Sequence, residues 1–151
     1  QLLPTYQRGI AAIEMAVILP VMVALIAFTL FFGRYCWHYT VAQRAAHDAA
    51  LYLSTVPLVD IRSPRRASAA QSAARDIAAM ETAELRPGAL PIAISVQCNG
   101  LDCSGLTVPA TVRVVVQMRF TDDIFLFYTA PFTGEDGILM TADVHMQYVG
   151  T

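Results

Sequence analysis

Lysine is absent from the 151 residues, so all ten basic side chains are Arg, and charged residues make up only 15% of a chain that is 56% hydrophobic. Soluble domains carry roughly 25% charged residues, so the deficit points away from an ordinary water-soluble globule. The missing Lys itself reflects genome composition rather than function, since Arg supplies the same charge wherever bidentate geometry is not needed. With a net charge of -2 and no basic cluster, the chain lacks the stripe that tracking a phosphate backbone requires. Nucleic acid is therefore not expected as a partner. Also missing are a Ser-centred nucleophile elbow, an H-E-x-x-H pair and a Gly-rich phosphate loop, so neither an enzyme nor a bound cofactor is expected.

What is present is concentrated near the start. Met15 to Phe32 is a run of eighteen residues without a charge, and extending it back to Ile10 admits only Glu14. At about 1.5 Å per residue the segment from Ile10 to Phe32 reaches roughly 35 Å, enough to cross a hydrocarbon core of about 30 Å with some tilt. We expect one transmembrane helix over residues 10–33. Pro20 lies inside it and predicts a kink rather than a break. The competing reading, a cleaved secretory signal, requires a shorter apolar stretch and a small-residue cleavage site. Gly33-Arg34-Tyr35-Cys36-Trp37 offers no such site. Ahead of the span, residues 1–9 form a polar leader or cytoplasmic tail without an initiator Met, so residues upstream are expected.

The positive-inside rule compares Arg8 with Arg34 and Arg44, too small a difference to set orientation. Cysteine spacing carries more weight. Cys98 and Cys103 form a C-x4-C between two strand-like segments, which a loop disulfide would close in an oxidising compartment; two free thiols in a reducing cytosol are the alternative. The disulfide, and with it a domain outside the cytoplasm, is the expectation.

Tyr35, Trp37 and Tyr39 mark the exit from the membrane as an aromatic belt. A helical pattern continues through Val41, Ala45, Ala49, Leu53 and Val56, with Arg44 and Asp48 spaced to pair, which predicts a helical stem over 34–57 closed by Pro57. Ser63 and Pro64 open a second helix with an apolar stripe of Ala73, Ile77 and Met80, stopped by Arg86-Pro87-Gly88. From Leu90 the period becomes two. Three alternating segments follow, Leu90–Asn99, Thr107–Phe120 and Ile138–Tyr148, each with one wet face. One wet face per strand predicts an antiparallel sheet of at least three strands covered on one side by helices, an α+β domain over 58–151. The apolar connector Thr121–Gly137 is expected to be a packed loop rather than a protein contact.

Gly9, Glu14 five residues later, Pro20 within the span, Gly33-Arg34 at its outer edge and the Ala45, Ala46, Ala49, Ala50 pattern belong together. At these offsets the stretch from Gly9 to Tyr52, a third of the chain, resembles the TadE-like family of minor pseudopilins from tight-adherence (Tad, or Flp, type IVc) pilus systems. The resemblance implies a pilin-like subunit of the bacterial inner membrane with its bulk in the periplasm, assisting pilus assembly. Its implied partners are other pilin-like subunits, Tad platform proteins and a prepilin peptidase cutting between Gly9 and Ile10. The cut would place Glu14 fifth in the mature chain, where it could pair with the α-amino group of a neighbouring subunit. Alternatively, Glu14 snorkels to the headgroups or is protonated. The rival function is a membrane-tethered periplasmic scaffold or binding module that never enters a filament.

Other candidates have plainer explanations. His38 and Cys36, two apart on one helix, cannot both face one metal, and no metal site is expected. His47 with Asp48 should diverge on a helix, while Asp143 and His145 should share a solvent face. Asp122-Asp123 and Glu135-Asp136 lack EF-hand spacing and read as solvated turns.

Overall fold

The computed structural model describes residues 6–88, 90–134 and 136–151, with side chains from residue 11 onward. Helix α1 runs from Tyr6 to Ser54, 49 residues without interruption. At about 1.5 Å per residue this is roughly 74 Å of continuous helix. Pro20 lies inside it and does not break it. A four-residue helix α2 (Leu58–Ile61) follows Pro57, and α3 spans Pro64–Thr82. The remaining elements are β1 (Ala93–Cys98), β2 (Thr111–Phe120), a short helix α4 (Leu126–Thr133) and β3 (Ile138–Gln147). The strands form one antiparallel sheet in the order β1-β2-β3. The architecture is α+β with a stem helix, as the sequence predicts.

The two halves of α1 have different surroundings. Up to Leu30 nearly every large apolar side chain is exposed, including Met15, Leu19, Met22, Leu25 and Leu30. A core helix of a soluble protein would bury such residues; here contact with the head begins only near the end of the stretch, at Ala27 and Phe28, and most of the large apolar side chains stay uncovered, as in a lipid-facing segment. Beyond it the same helix becomes the spine of the core. Ala42, Ala45, Ala46, Ala49, Ala50 and Leu53 are fully buried, and α3 opposes them with Ala67, Ala70, Ala74 and Ala78. Alanine at the contact lets two helices and a sheet approach closely while leaving few voids. Val96, Val112, Val114, Val116, Met118, Phe120, Met140 and Ala142 supply the inner face of the sheet. The opposite face carries Thr111, Gln117, Thr141, Asp143 and His145 in water.

The β2–β3 register pairs Phe120 with Ile138 at one end and Thr111 with Gln147 at the other. Phe120 packs 5.5 Å from Phe31 and 5.9 Å from Tyr35, ring centre to ring centre, so the α4 end of the sheet lies at the exit of the apolar segment. The other end closes on the top of the stem, where Tyr148 Oη donates to Val56 O at 2.6 Å and Val149 N to Ser54 O at 2.9 Å.

Several details differ from the sequence reading. The stem helix stops at Ser54, three residues before Pro57, which opens α2 instead. Ser63 has the extended backbone of an N-cap, but its side chain makes no capping bond, and α3 ends at Thr82, ahead of Arg86-Pro87-Gly88. The buried face of α3 is Ala67, Ala70, Gln71, Ala74 and Ala78, leaving Met80 78% exposed. Close packing against an alanine-lined helix selects small side chains; of the expected stripe, Ala73 and Ile77 are half-buried, with Ile77 at the edge of the core, and Met80 turns outward. Tyr35 leaves the aromatic belt to pack on Phe120, while Trp37 and Tyr39 stay exposed. Arg44 does not pair with Asp48 among the described residues; Asp48 meets His47 instead, Nδ1 to Oδ1 at 3.2 Å, so that adjacent pair does not diverge. The connector is not simply a packed loop. It contains α4, and Ile124, Leu126, Phe127 and Phe132 are exposed.

Candidate functional site

Gly9 and Ile10 fall in the first turns of α1, where the backbone is helical and the side chains lie outside the described residues. Glu14 projects from the exposed part of the same helix, one turn further on, and no described residue forms a hydrogen bond or ion pair with it. A carboxylate at the edge of an apolar span is costly unless a partner, a cavity or the headgroup region meets it.

At the opposite edge of the span a polar cluster joins α1 to the β2–β3 connector. Arg34 Nη1 donates to Asp123 Oδ1 at 2.9 Å and lies 3.5 Å from Asp122 Oδ1. Asp122 is buried, 4% exposed, and its carboxylate is saturated. Oδ1 accepts from the backbone N–H groups of Ile124 (3.0 Å) and Phe125 (3.3 Å), and Oδ2 accepts from Thr129 Oγ1 (2.9 Å). The side chain therefore closes a turn just ahead of α4, accepting from the N–H groups two and three residues on, and its bond to Thr129 ties that turn to the helix. The Arg34 hydrogen bond holds the Asp123 carboxyl below the ordinary carboxylate range. Gly137 closes the connector at φ +74°, and a Cβ there would lie 2.5 Å from Phe120 O. Both the left-handed backbone and the close approach call for glycine.

Next to this cluster His38 is buried against Phe120, ring centres 4.9 Å apart. Its Nδ1 lies 2.8 Å from Arg34 O, a carbonyl that can only accept, so Nδ1 carries the proton. Nε2 has no partner. Cys36 is a free, exposed thiol on another face of α1.

Cys98 and Cys103 are joined in a disulfide, with their Cα atoms 5.0 Å apart. Polar bonds hold the loop they close. Asn99 adopts a left-handed backbone, and its Oδ1 accepts from Ala110 N (2.8 Å) and Thr111 N (3.1 Å). Gln71, buried on α3, donates to Val96 O and to Asp102 Oδ1, each at 2.8 Å.

On the wet face of the sheet Arg113 binds Asp143 through two contacts, Nε to Oδ1 at 3.0 Å and Nη2 to Oδ2 at 2.6 Å, and His145 Nε2 lies 3.4 Å from the same carboxylate. The Arg113 hydrogen bond, more than its charge, lowers the Asp143 pKa. This is a surface ion cluster without a nucleophile. Among the described residues no three His, Cys, Asp or Glu side chains converge as metal ligands. Asp122 and Asp123 face Arg34, Asp136 lies 3.8 Å from Arg119, and Glu135 falls outside the described residues.

Sequence reasoning missed the Arg34–Asp122–Asp123 link and α4. The available signal was an apolar connector that opens on two carboxylates, in a chain with Arg at the outer edge of its span. Nothing in the sequence joins positions 89 residues apart.

A long apolar helix, largely exposed in its first half and the core spine of an α+β head in its second, fits a single-pass membrane protein. The family model described as TadE-like protein matches residues 9–51, the segment that holds the span and most of the stem. No curated protein and no solved structure matches the chain.

Proposed function

We propose that the chain is a minor pseudopilin-like structural subunit of a Tad (Flp, type IVc) pilus, held in the bacterial inner membrane by residues 10–33 of α1 with residues 58–151 in the periplasm. The observation that carries this reading is the coincidence of the TadE-like match, residues 9–51, with one unbroken helix that leaves a lipid-facing span and becomes the spine of the head. Such a helix couples the position of the head rigidly to the anchor, as a subunit handed from membrane to filament requires. The Cys98–Cys103 disulfide supports a periplasmic head, because such bonds persist in oxidising compartments.

Under this reading a prepilin peptidase cuts between Gly9 and Ile10, and Glu14 receives the new ammonium of an adjacent subunit. The two charges then offset each other's desolvation. Partners are other pilin-like subunits and the Tad assembly platform. Gly9→Val is expected to block cleavage, since a side chain there crowds the protease; Glu14→Ala is expected to leave cleavage intact and impair assembly. N-terminal sequencing of protein from peptidase-containing cells, together with co-purification of Tad components, checks both. Protein from such cells that still begins ahead of Gly9 would refute the processing step. Failure of any Tad component to co-purify would favour a tethered periplasmic scaffold instead.

A further inference from the structure

Helix α4 has eight residues and no charge, and it displays large apolar side chains outward: Phe127 is 86% exposed and Phe132 75%, flanked by exposed Leu126 and Ile124. An apolar patch of this kind marks a surface meant to be covered. Its location identifies the cover. Phe132 packs edge-on to Phe28 of the span, ring centres 5.3 Å apart, and Phe28 lies one helical turn inside Phe32, the last large apolar residue before Arg34. Between α4 and the span is an apolar cleft of about 250 Å³ lined by Phe28, Phe31, Phe32, Thr129, Phe132 and Ile138. Arg34, Asp122 and Asp123 form the polar layer immediately outside.

We propose that α4 is a second membrane element: it lies in the outer leaflet beside the span, its exposed aromatic side chains among the acyl chains, with the Arg34–Asp122–Asp123 cluster at headgroup level. The partner is the hydrocarbon of the bilayer. A helix lying in the interface sinks its apolar face about 5–10 Å, which is the depth that contact with Phe28 requires. A second copy of the chain is a poorer occupant, since a specific interface buries upward of about 1,000 Å² and the exposed side chains of one eight-residue helix present a fraction of that. Arg34 is already paired with two carboxylates and α4 carries no basic residue, so insertion depends on apolar contact and not on anionic lipid.

The inference rests on the membrane reading of α1, and the test separates the two. Single-Trp variants of the full chain are made in a Trp37→Phe background: Leu25→Trp in the span, Phe127→Trp on α4 and Val149→Trp at the far end of the head. They are reconstituted into phosphatidylcholine vesicles containing lipid brominated either near the headgroup or near the chain end. Circular dichroism confirms that each variant retains its fold. Emission from Phe127→Trp is expected to be blue-shifted and lost mainly to headgroup-proximal bromine, equally with or without added phosphatidylglycerol, while Val149→Trp is unquenched. Quenching of Leu25→Trp without quenching of Phe127→Trp overturns the role of α4 and leaves the anchor standing. Loss of quenching at both positions overturns the anchor as well. A Phe127→Trp signal unquenched by bromine yet shielded from aqueous iodide also overturns the proposal, because protein then covers the patch.

Discussion

Removing the Asp122 carboxylate asks how much of the α4 pose one buried side chain sets. Asp122→Ala deletes the acceptor for the N–H groups of Ile124 and Phe125 and the partner of Thr129 Oγ1. Loss of an acceptor that serves two backbone N–H groups just ahead of a helix should cost about as much as loss of an N-cap, about 1 kcal/mol within a range of about 0.5–2. Two considerations limit further loss. Thr129 Oγ1 keeps its bond to Phe125 O at 3.1 Å, and Arg34 keeps Asp123 at 2.9 Å, so neither group is orphaned. The local opening free energy of the connector should therefore fall by about 1–2 kcal/mol, roughly 5–30-fold in the opening constant. Hydrogen–deuterium exchange of the full chain in detergent micelles reads this directly. Amides across 124–133 should exchange faster by that factor, while those of β2 and the stem remain unchanged. Asp122→Asn should fall between, since its amide oxygen still accepts from the backbone. The exposed Asp123 is the contrast: its pair with Arg34 is screened by water, so Asp123→Ala should change exchange little, and less still in high salt. Equal exchange in Asp122→Ala and the unaltered protein, or a larger effect from Asp123→Ala, would refute the assignment of Asp122 as the organiser.

Three further outcomes are expected. Replacing Cys98 and Cys103 by Ser should lower the urea midpoint by an amount worth at most about 2 kcal/mol, because the closed loop is short; an unchanged midpoint without reductant would mean that the thiols are not joined. Ala46→Leu, which adds three carbons where no space is left, should destabilise the head by about 1–3 kcal/mol in thermal unfolding, whereas Ala79→Leu on the exposed side of α3 should be nearly neutral. Since Arg113 lowers the Asp143 pKa in the folded state, the stabilisation from this pair is present above the unfolded carboxylate value of about 4 and is lost as pH falls through the native value; carboxyl NMR titration should show Asp143 titrating low, and Arg113→Ala should raise it.

The sequence by itself determined the long apolar helix, the three alternating strands and the change of period between helices and sheet. These are local signals: a run of eighteen uncharged, mostly apolar residues calls for apolar surroundings, and alternation with period two assigns faces to a strand wherever the strand lies. It also carried the Gly9, Glu14, Pro20 and Gly33-Arg34 offsets, which fall within the family match over residues 9–51. Tertiary structure decided what depends on shape. Which face of α3 turns inward was settled by the alanine-lined stem, against which Ala74 and Ala78 fit and Met80 does not. Hydrophobicity ranks Met above Ala, so periodicity alone centred the stripe to one side, keeping the half-buried Ala73 and Ile77 but including the exposed Met80. The connector shows the same limit at longer range. Residues 121–137 are apolar enough to be core, yet α4 lies beside the mouth of the span, where lipid on the present reading removes the need to bury Phe127 and Phe132 in protein. Only folding brings Asp122 within 3.5 Å of Arg34 and Phe132 within 5.3 Å of Phe28, because both contacts require the sheet to run back along the stem.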